Sequence, residues 1–382
     1  MMAAFQAAQG TCYLHTYALG GIKVGLEKVR NFILETGYDG ILIKKRNNFS
    51  WITGGKHNHI VLAAEEGVAD LVVFPDHVYL VTTKMEERRI LEEEVAGLPF
   101  EVEVLCDDWY NGSDHLIQKL AESKRMATDT PFFNFTYVDD QLGKVRSILS
   151  VNEMQRYRKL CATAAKLLEQ TCREISPGQT EHEIAAVLAQ KVISCGMRAQ
   201  VILVATDERI YKYRHPIPTD KKLNKHAMLV LCAEKWGLVA NVTRLVHFGT
   251  LPDELRGNKE CLARIDVAMN TATKSGVKLG DVVKAGIMQY EKEGFPSDWK
   301  LLHQGGVTGF KSREYLATPD SGEIIKVNQA FAWNPALPGV KSEDTILLTE
   351  NGVEFLTHTD QWNYIEIEHG GQTYKRPDIL VR

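Results

Sequence analysis

Three side chains able to move protons or charge stand in distinctive local settings: His215 in Arg214-His215-Pro216, His303 ahead of Gln304-Gly305-Gly306, and Glu343 in Val340-Lys341-Ser342-Glu343-Asp344-Thr345. An imidazole titrates near neutrality, so it can take a proton from water and return it. The glycines after His303 would let a substrate come close to the backbone. Glu343 heads an apolar run and should face inward. A buried carboxylate needs a cation or hydrogen-bond donors; His303, His215, Arg244 or a cationic nitrogen on a substrate could serve. Arg313 can grip a carboxylate through two parallel hydrogen bonds, which points to an anionic end on a ligand. Cys232 could ligate a metal as a thiolate, but on the apolar run 227–233 it reads first as a packing residue.

These residues need a scaffold, and the pattern of the chain predicts one of mixed α/β type. Residues 22–148 read as one α/β unit. A helical pattern around 23–36 ends near Gly37, an apolar strand follows at 40–43, and strand-like runs occupy 70–74 and 78–82. Asp76 and His77 between those runs suit a hairpin turn. An acidic amphipathic helix covers about 84–95.

Residues 149–358 carry the chemistry. A long helical pattern runs from about Asn152 to Glu174 and breaks at Ser176-Pro177-Gly178. Thr180 and Glu183 form a capping box that opens a helix ending near Gly196. The pattern returns roughly 100 residues later, as a helix over about 252–274 and a second helix ending at Gly294. This repeat predicts two related halves around a shared curved sheet. Residues 359–382 read as a C-terminal hairpin turning at Gly370-Gly371, and residues 1–21 as an N-terminal extension.

Composition narrows the function. A net charge of -4 argues against a nucleic-acid binder relying on a basic field. No apolar run approaches a membrane span, and residues 1–20 lack the basic start and apolar core of a signal peptide. Seven cysteines without a Cys-x-x-Cys pair suggest reduced thiols and a cytoplasmic protein.

The segment from Trp236 to Arg244 resembles the Gly-Tyr-x-x-Asp-x-Thr-Arg strand of the creatinase/prolidase/methionine aminopeptidase family. Asn48-Phe49-Ser50-Trp51-Ile52-Thr53-Gly54 resembles the Asn-x-x-Tyr-Leu-Thr-Gly signature of its creatinase-type N-terminal domain. The resemblance covers about residues 22–357. It implies that N-terminal domain followed by a pita-bread domain with an internal pseudo-twofold repeat. His303 then matches a metal-binding His, and Glu343 keeps a family glutamate. Asn241 stands for a metal-binding Asp, Asn334 for a Glu, and Cys232 or Val230 for the first Asp. A divalent ion needs anionic oxygens in place of its water shell, and an amide oxygen is a weak substitute. His215 resembles the family's substrate-binding or proton-shuttling His. The same match of positions implies a binding set in which Asn241, Thr243 and Asn334 supply neutral hydrogen bonds beside Arg313, Trp333 and Lys341.

The expected protein is a metal-independent hydrolase without a cofactor, acting on a C–N bond of a small nitrogenous molecule. His215 or His303 would be the general base, and Glu343 would anchor a cationic nitrogen. The resemblance also implies a homodimer. Two alternatives stand beside this reading: a catalytically silent binding protein, and an Xaa-Pro peptidase-like enzyme with one unusual metal held through Cys232, His303 and Glu343.

Overall fold

The computed structural model describes residues 24–382, so the expected extension at 1–21 lies outside the described residues. The chain divides into two compact units.

The first unit, up to Arg146, opens with a helix over 24–36. Its six-stranded mixed sheet has the order Glu103–Asp107, Val78–Thr83, Glu66–Val73, Gly40–Lys45, Met126–Thr128, Thr136–Tyr137. Strands 66–73 and 78–83 form the anticipated hairpin, closed by the Phe74 N–H to the His77 carbonyl at 2.8 Å. Leu42, Val72, Val81, Ile117 and Met126 fill one face of the sheet. The Asn48 of the N-terminal signature turns out to be a structural cross-link. Its side-chain N–H donates to Asp129 at 2.9 Å and to Asp139 at 3.1 Å, and its carbonyl accepts from Arg146 at 2.5 Å. A buried amide that satisfies both of its ends fixes the chain at that point.

The second unit holds most of the rest of the chain. Helix Val151–Glu174 leads into it. Helix Glu181–Ser194 starts at the expected capping box: Glu183 N–H donates to the Thr180 hydroxyl at 3.1 Å, and Thr180 N–H to the Glu183 carboxylate at 2.7 Å. A four-stranded sheet follows, in the order Leu380–Val381, Leu238–His247, His226–Lys235, Arg198–Thr206. The second half repeats the theme with helices Asp253–Ala272 and Leu279–Lys292. Its five-stranded sheet has the order Tyr315–Leu316, Gly305–Thr308, Ala330–Trp333, Asp344–Thr349, Gly352–Phe355. The C-terminal segment forms the hairpin Tyr364–His369 with Gln372–Pro377.

Hydrogen bonding makes two sheets where one shared sheet was expected, and the reason is local. Alternate residues of strand 238–247 reach across to the other half. Val239 N–H donates to the Gly309 carbonyl at 2.8 Å and Thr243 N–H to the Glu343 carbonyl at 3.0 Å. Between them, Asn241 N–H goes to the Thr345 hydroxyl at 2.8 Å. A side-chain oxygen at that rung interrupts the backbone ladder, but the two halves remain stitched together along this seam.

Candidate functional site

The seam sets the site. Side chains alternate across a strand, and two neighbouring pairs use this alternation. Thr243 and Glu343 face one side, where the Thr243 hydroxyl donates to the Glu343 carboxylate at 2.9 Å. Arg244 and Asp344 face the other, 3.0 Å apart. Arg244 also donates to Glu169 at 3.1 Å, and Arg376 from the C-terminal hairpin joins Asp344 at 2.5 Å to Asp266 at 2.8 Å. These residues are all buried. The two guanidiniums hold the Asp344 carboxyl well below the usual range, against the opposing effect of its burial, which is the largest single influence. Arg244, considered from sequence as a partner for Glu343, belongs to this second network.

On the Thr243 side lies a cavity of about 440 Å³, lined by His215, His303, Arg313, Asn334, Lys341 and Glu343, with Cys232 and Val230 on its floor. Besides Thr243, Glu343 accepts from Lys341 Nζ at 2.9 Å and from Arg313 Nη2 at 2.9 Å. Burial alone would raise the Glu343 carboxyl. The opposing charges of Lys341 and Arg313, with their hydrogen bonds, win and draw it down to about 2. Glu343 therefore already has its cations, and both belong to the chain. The expected anchor for a substrate cation is closed by them, and one carboxylate beside two cations leaves the pocket net positive.

His215 and His303 stand together at the mouth, both solvent-accessible, with ring centroids 5.8 Å apart. Desolvation first, then the charges of Arg313, His215 and Lys341, pull His303 down to about 4. His215 is lowered as well, by desolvation and then by Lys341. Both shifts favour the neutral imidazole, which keeps a lone pair for a proton.

Other predicted residues sit elsewhere. Trp333 is 1% exposed, its indole N–H donates to the Thr273 hydroxyl at 3.0 Å, and its ring stacks on Phe331. It is a core residue and does not line the cavity. Asn241 and Thr243 lie behind the lining: the Asn241 side-chain N–H donates to the Thr308 hydroxyl at 3.0 Å, and Thr243 acts through Glu343. Asn334 does line the cavity, and its buried side-chain oxygen has no partner.

The Gly305-Gly306 pair serves packing, not the substrate approach expected of it. A Cβ on Gly305, whose φ is +108°, would lie 2.1 Å from the Ala332 carbonyl oxygen of the neighbouring strand. Gln304 points into the core, accepting from the Tyr290 hydroxyl at 3.1 Å. No sequence signal marks the cavity wall contributed by Gln200, Val201, Ile202 and Leu203, because a mostly apolar strand carries no chemical mark of what it faces.

The metal centre implied by the resemblance can be tested on these donors. Cys232 is a thiol, since burial pushes it up to about 12. Glu343 has three donors on its carboxylate. The Asn241 amide oxygen is buried and neutral. Among the described residues, no group of three or more His, Cys, Asp or Glu is placed to hold an ion. The set does not fit a two-metal centre, nor the single site through Cys232, His303 and Glu343.

Comparison with known proteins adds the family. The model of metallopeptidase family M24 matches residues 155–350, just over half of the chain, and that of the creatinase/prolidase N-terminal domain matches 26–165. An uncharacterized peptidase of Staphylococcus epidermidis is 25% identical over 253 residues, covering 62% of this chain and 71% of that protein. The fold is similar to that of the prolidase from Pyrococcus horikoshii OT3, with TM-score 0.74 and 20% identity over 88% of this chain and 98% of that one. It is also similar to that of the Xaa-Pro dipeptidase from Bacillus anthracis, with TM-score 0.73 and 16% identity over 94% and 100%.

Proposed function

Because the chain belongs to metallopeptidase family M24, we propose that it is a prolidase-like hydrolase whose cavity takes a small peptide-type molecule. The observation that carries this reading is the convergence of two imidazoles with Arg313, Lys341 and Glu343 on one cavity of about 440 Å³, a volume suited to a small ligand. His215 or His303 would accept the proton of an attacking water. Arg313 and Lys341 would meet an anionic end of the substrate. Relatives named peptidase, prolidase and Xaa-Pro dipeptidase support a peptide bond as the C–N bond attacked.

Membership in a family of metallopeptidases gives no support to the metal independence expected from the sequence. It favours the Xaa-Pro peptidase-like alternative. The donor set argues against a resident ion, so no step of this reading passes through one. The deciding experiment treats purified protein with chelator, restores it with Mn²⁺, Co²⁺, Zn²⁺ or nothing, and measures amino-acid release from a panel of Xaa-Pro and other dipeptides. Release under any of these conditions supports the hydrolase. No release under all of them leaves the binding-protein alternative. The proposal includes a cytoplasmic homodimer, which rests on the unpaired cysteines among the described residues and on the family. Light scattering at micromolar concentration tests the dimer.

A further inference from the structure

The five-stranded sheet ends on an open strand. Gly352–Phe355 is its last member and pairs with Asp344–Thr349 on one side only. The direction of its free groups follows from that neighbour. Leu348 turns both backbone groups away from Gly352–Phe355: its carbonyl accepts from Asn328 N–H at 2.8 Å, and its N–H donates to the Gln329 carbonyl at 2.9 Å. The ladder bonds therefore fall on the alternate pairs Leu347–Glu354 and Thr349–Gly352. The N–H and C=O of Val353 and Phe355 point out of the sheet, and among the described residues no other bond takes them up. Natural edges are commonly blunted by a proline, a lysine or a bulge. This strand has none of these, and its register is unbroken. Its one charge, Glu354, lies on the face opposite Val353 and Phe355, where Arg158 donates to it at 2.8 and 2.7 Å. Val353 and Phe355 also line a cleft of about 570 Å³, a volume that can take side chains of a ligand. With the half-buried Val327 and the buried Leu348 they give it an apolar lining. Lys274, exposed just beyond helix Asp253–Ala272, and Glu350, in the turn before the open strand, add one charge of each sign.

We infer that this edge is a docking site for an extended polypeptide segment, which adds to the sheet as a further strand beside Gly352–Phe355. The outward groups of Val353 and Phe355 lie two residues apart, the period that any extended chain repeats, so main-chain hydrogen bonds supply the affinity. The cleft supplies the selectivity. Apolar side chains at alternate positions of the segment enter it, and an acidic and a basic residue flanking them meet Lys274 and Glu350. The site shares no lining residue with the His215 and His303 cavity and does not depend on its chemistry.

The test uses the fluorescein-labelled, amidated peptide Lys-Val-Thr-Val-Glu and its reversal Glu-Val-Thr-Val-Lys, which cover both strand directions. Fluorescence anisotropy with the full chain should show saturable binding of at least one of them below about 1 mM. N-methylation along that peptide's backbone keeps its side chains but removes its donors, and should weaken binding about tenfold or more. Val353→Pro removes an N–H that points out of the sheet, a change an edge strand tolerates, and should weaken binding to a similar degree. Lys274→Glu, at an exposed position, should weaken it about threefold. The inference is overturned if neither peptide saturates, if the N-methylated peptide binds as well as its parent, or if either variant melts like wild type and binds unchanged. It is also overturned if Val353→Pro turns a dimer into a monomer in light scattering, because the edge would then belong to a second copy of the chain. Should Val353→Pro fail to fold, the N-methylated peptide on wild-type protein still decides.

Discussion

Glu343→Gln removes one negative charge and almost no volume, and its consequence follows from what the carboxylate touches. The Lys341 and Arg313 side chains beside it are 5% and 11% exposed. Without Glu343 they become two buried cations facing each other with no anion between. Removing one partner of a buried pair costs about 3–5 kcal/mol. An independent route gives a similar figure. A carboxyl that titrates at 4.5 when unfolded and at about 2 when folded contributes about 3 kcal/mol of stability. A loss of that size lowers the melting temperature of a domain this large by about 6–12 °C.

The pH dependence identifies the cause. The folded carboxyl is depressed, so its stabilisation is complete above the unfolded value of 4.5 and is lost as pH falls towards about 2. Wild type and Glu343→Gln, compared by urea unfolding from pH 7 to pH 3, should differ most near neutrality and converge through the acid range. The double variant Glu343→Gln/Lys341→Met, which also removes a cation, should recover part of the loss. A melting shift under 2 °C for Glu343→Gln, or a gap that does not narrow on acidification, would refute the claim that the ion cluster stabilises the fold.

Three further outcomes follow from the same geometry. Gly305→Ala places a Cβ 2.1 Å from the Ala332 carbonyl oxygen at a φ of +108°, so it should cost about 3 kcal/mol or more, read as a drop in the urea midpoint. Arg376→Gln takes the guanidinium from Asp266 and leaves Asp344 with Arg244 alone, and should destabilise by about 3–5 kcal/mol, with Arg376→Lys recovering only part. If His303 is the base, its downward shift to about 4 keeps it in the accepting form in mild acid. The acid limb of kcat/KM should then fall below pH 6.5 and disappear in His303→Gln; a limb at or above 6.5 would remove His303 from that role.

The elements were largely legible because they rest on local rules. The capping box at Thr180 and Glu183, the hairpin around Asp76 and His77, and the helix to Glu174 all appear where short-range pattern put them. The site was legible only as a set of residues. His215, His303, Arg313, Asn334, Lys341 and Glu343 meet in one cavity. Trp333 was misread because an aromatic next to a motif position shares the motif's strand but not its face. Its neighbour Asn334 reaches the cavity while Trp333 turns into the core. The glycines after His303 were assigned to a substrate because sequence shows that space is needed but not what fills it; here a neighbouring strand does.

The partner of Glu343 shows where the limit lies. Lys341 is two residues upstream, and the two-residue period of extended chain puts both side chains on one face. That ion pair could be read from sequence. Arg313 arrives from 30 residues away within the second half, and Thr243 from 100 residues away across the seam. Their arrival changes the sign of the site. With Lys341 alone, Glu343 would be a balanced pair, open to either kind of ligand. With Arg313 added, the pocket carries an excess positive charge. The expectation of an anchored substrate cation came from counting the carboxylate that the chain keeps. The preference for an anion comes from a residue that no local pattern ties to it.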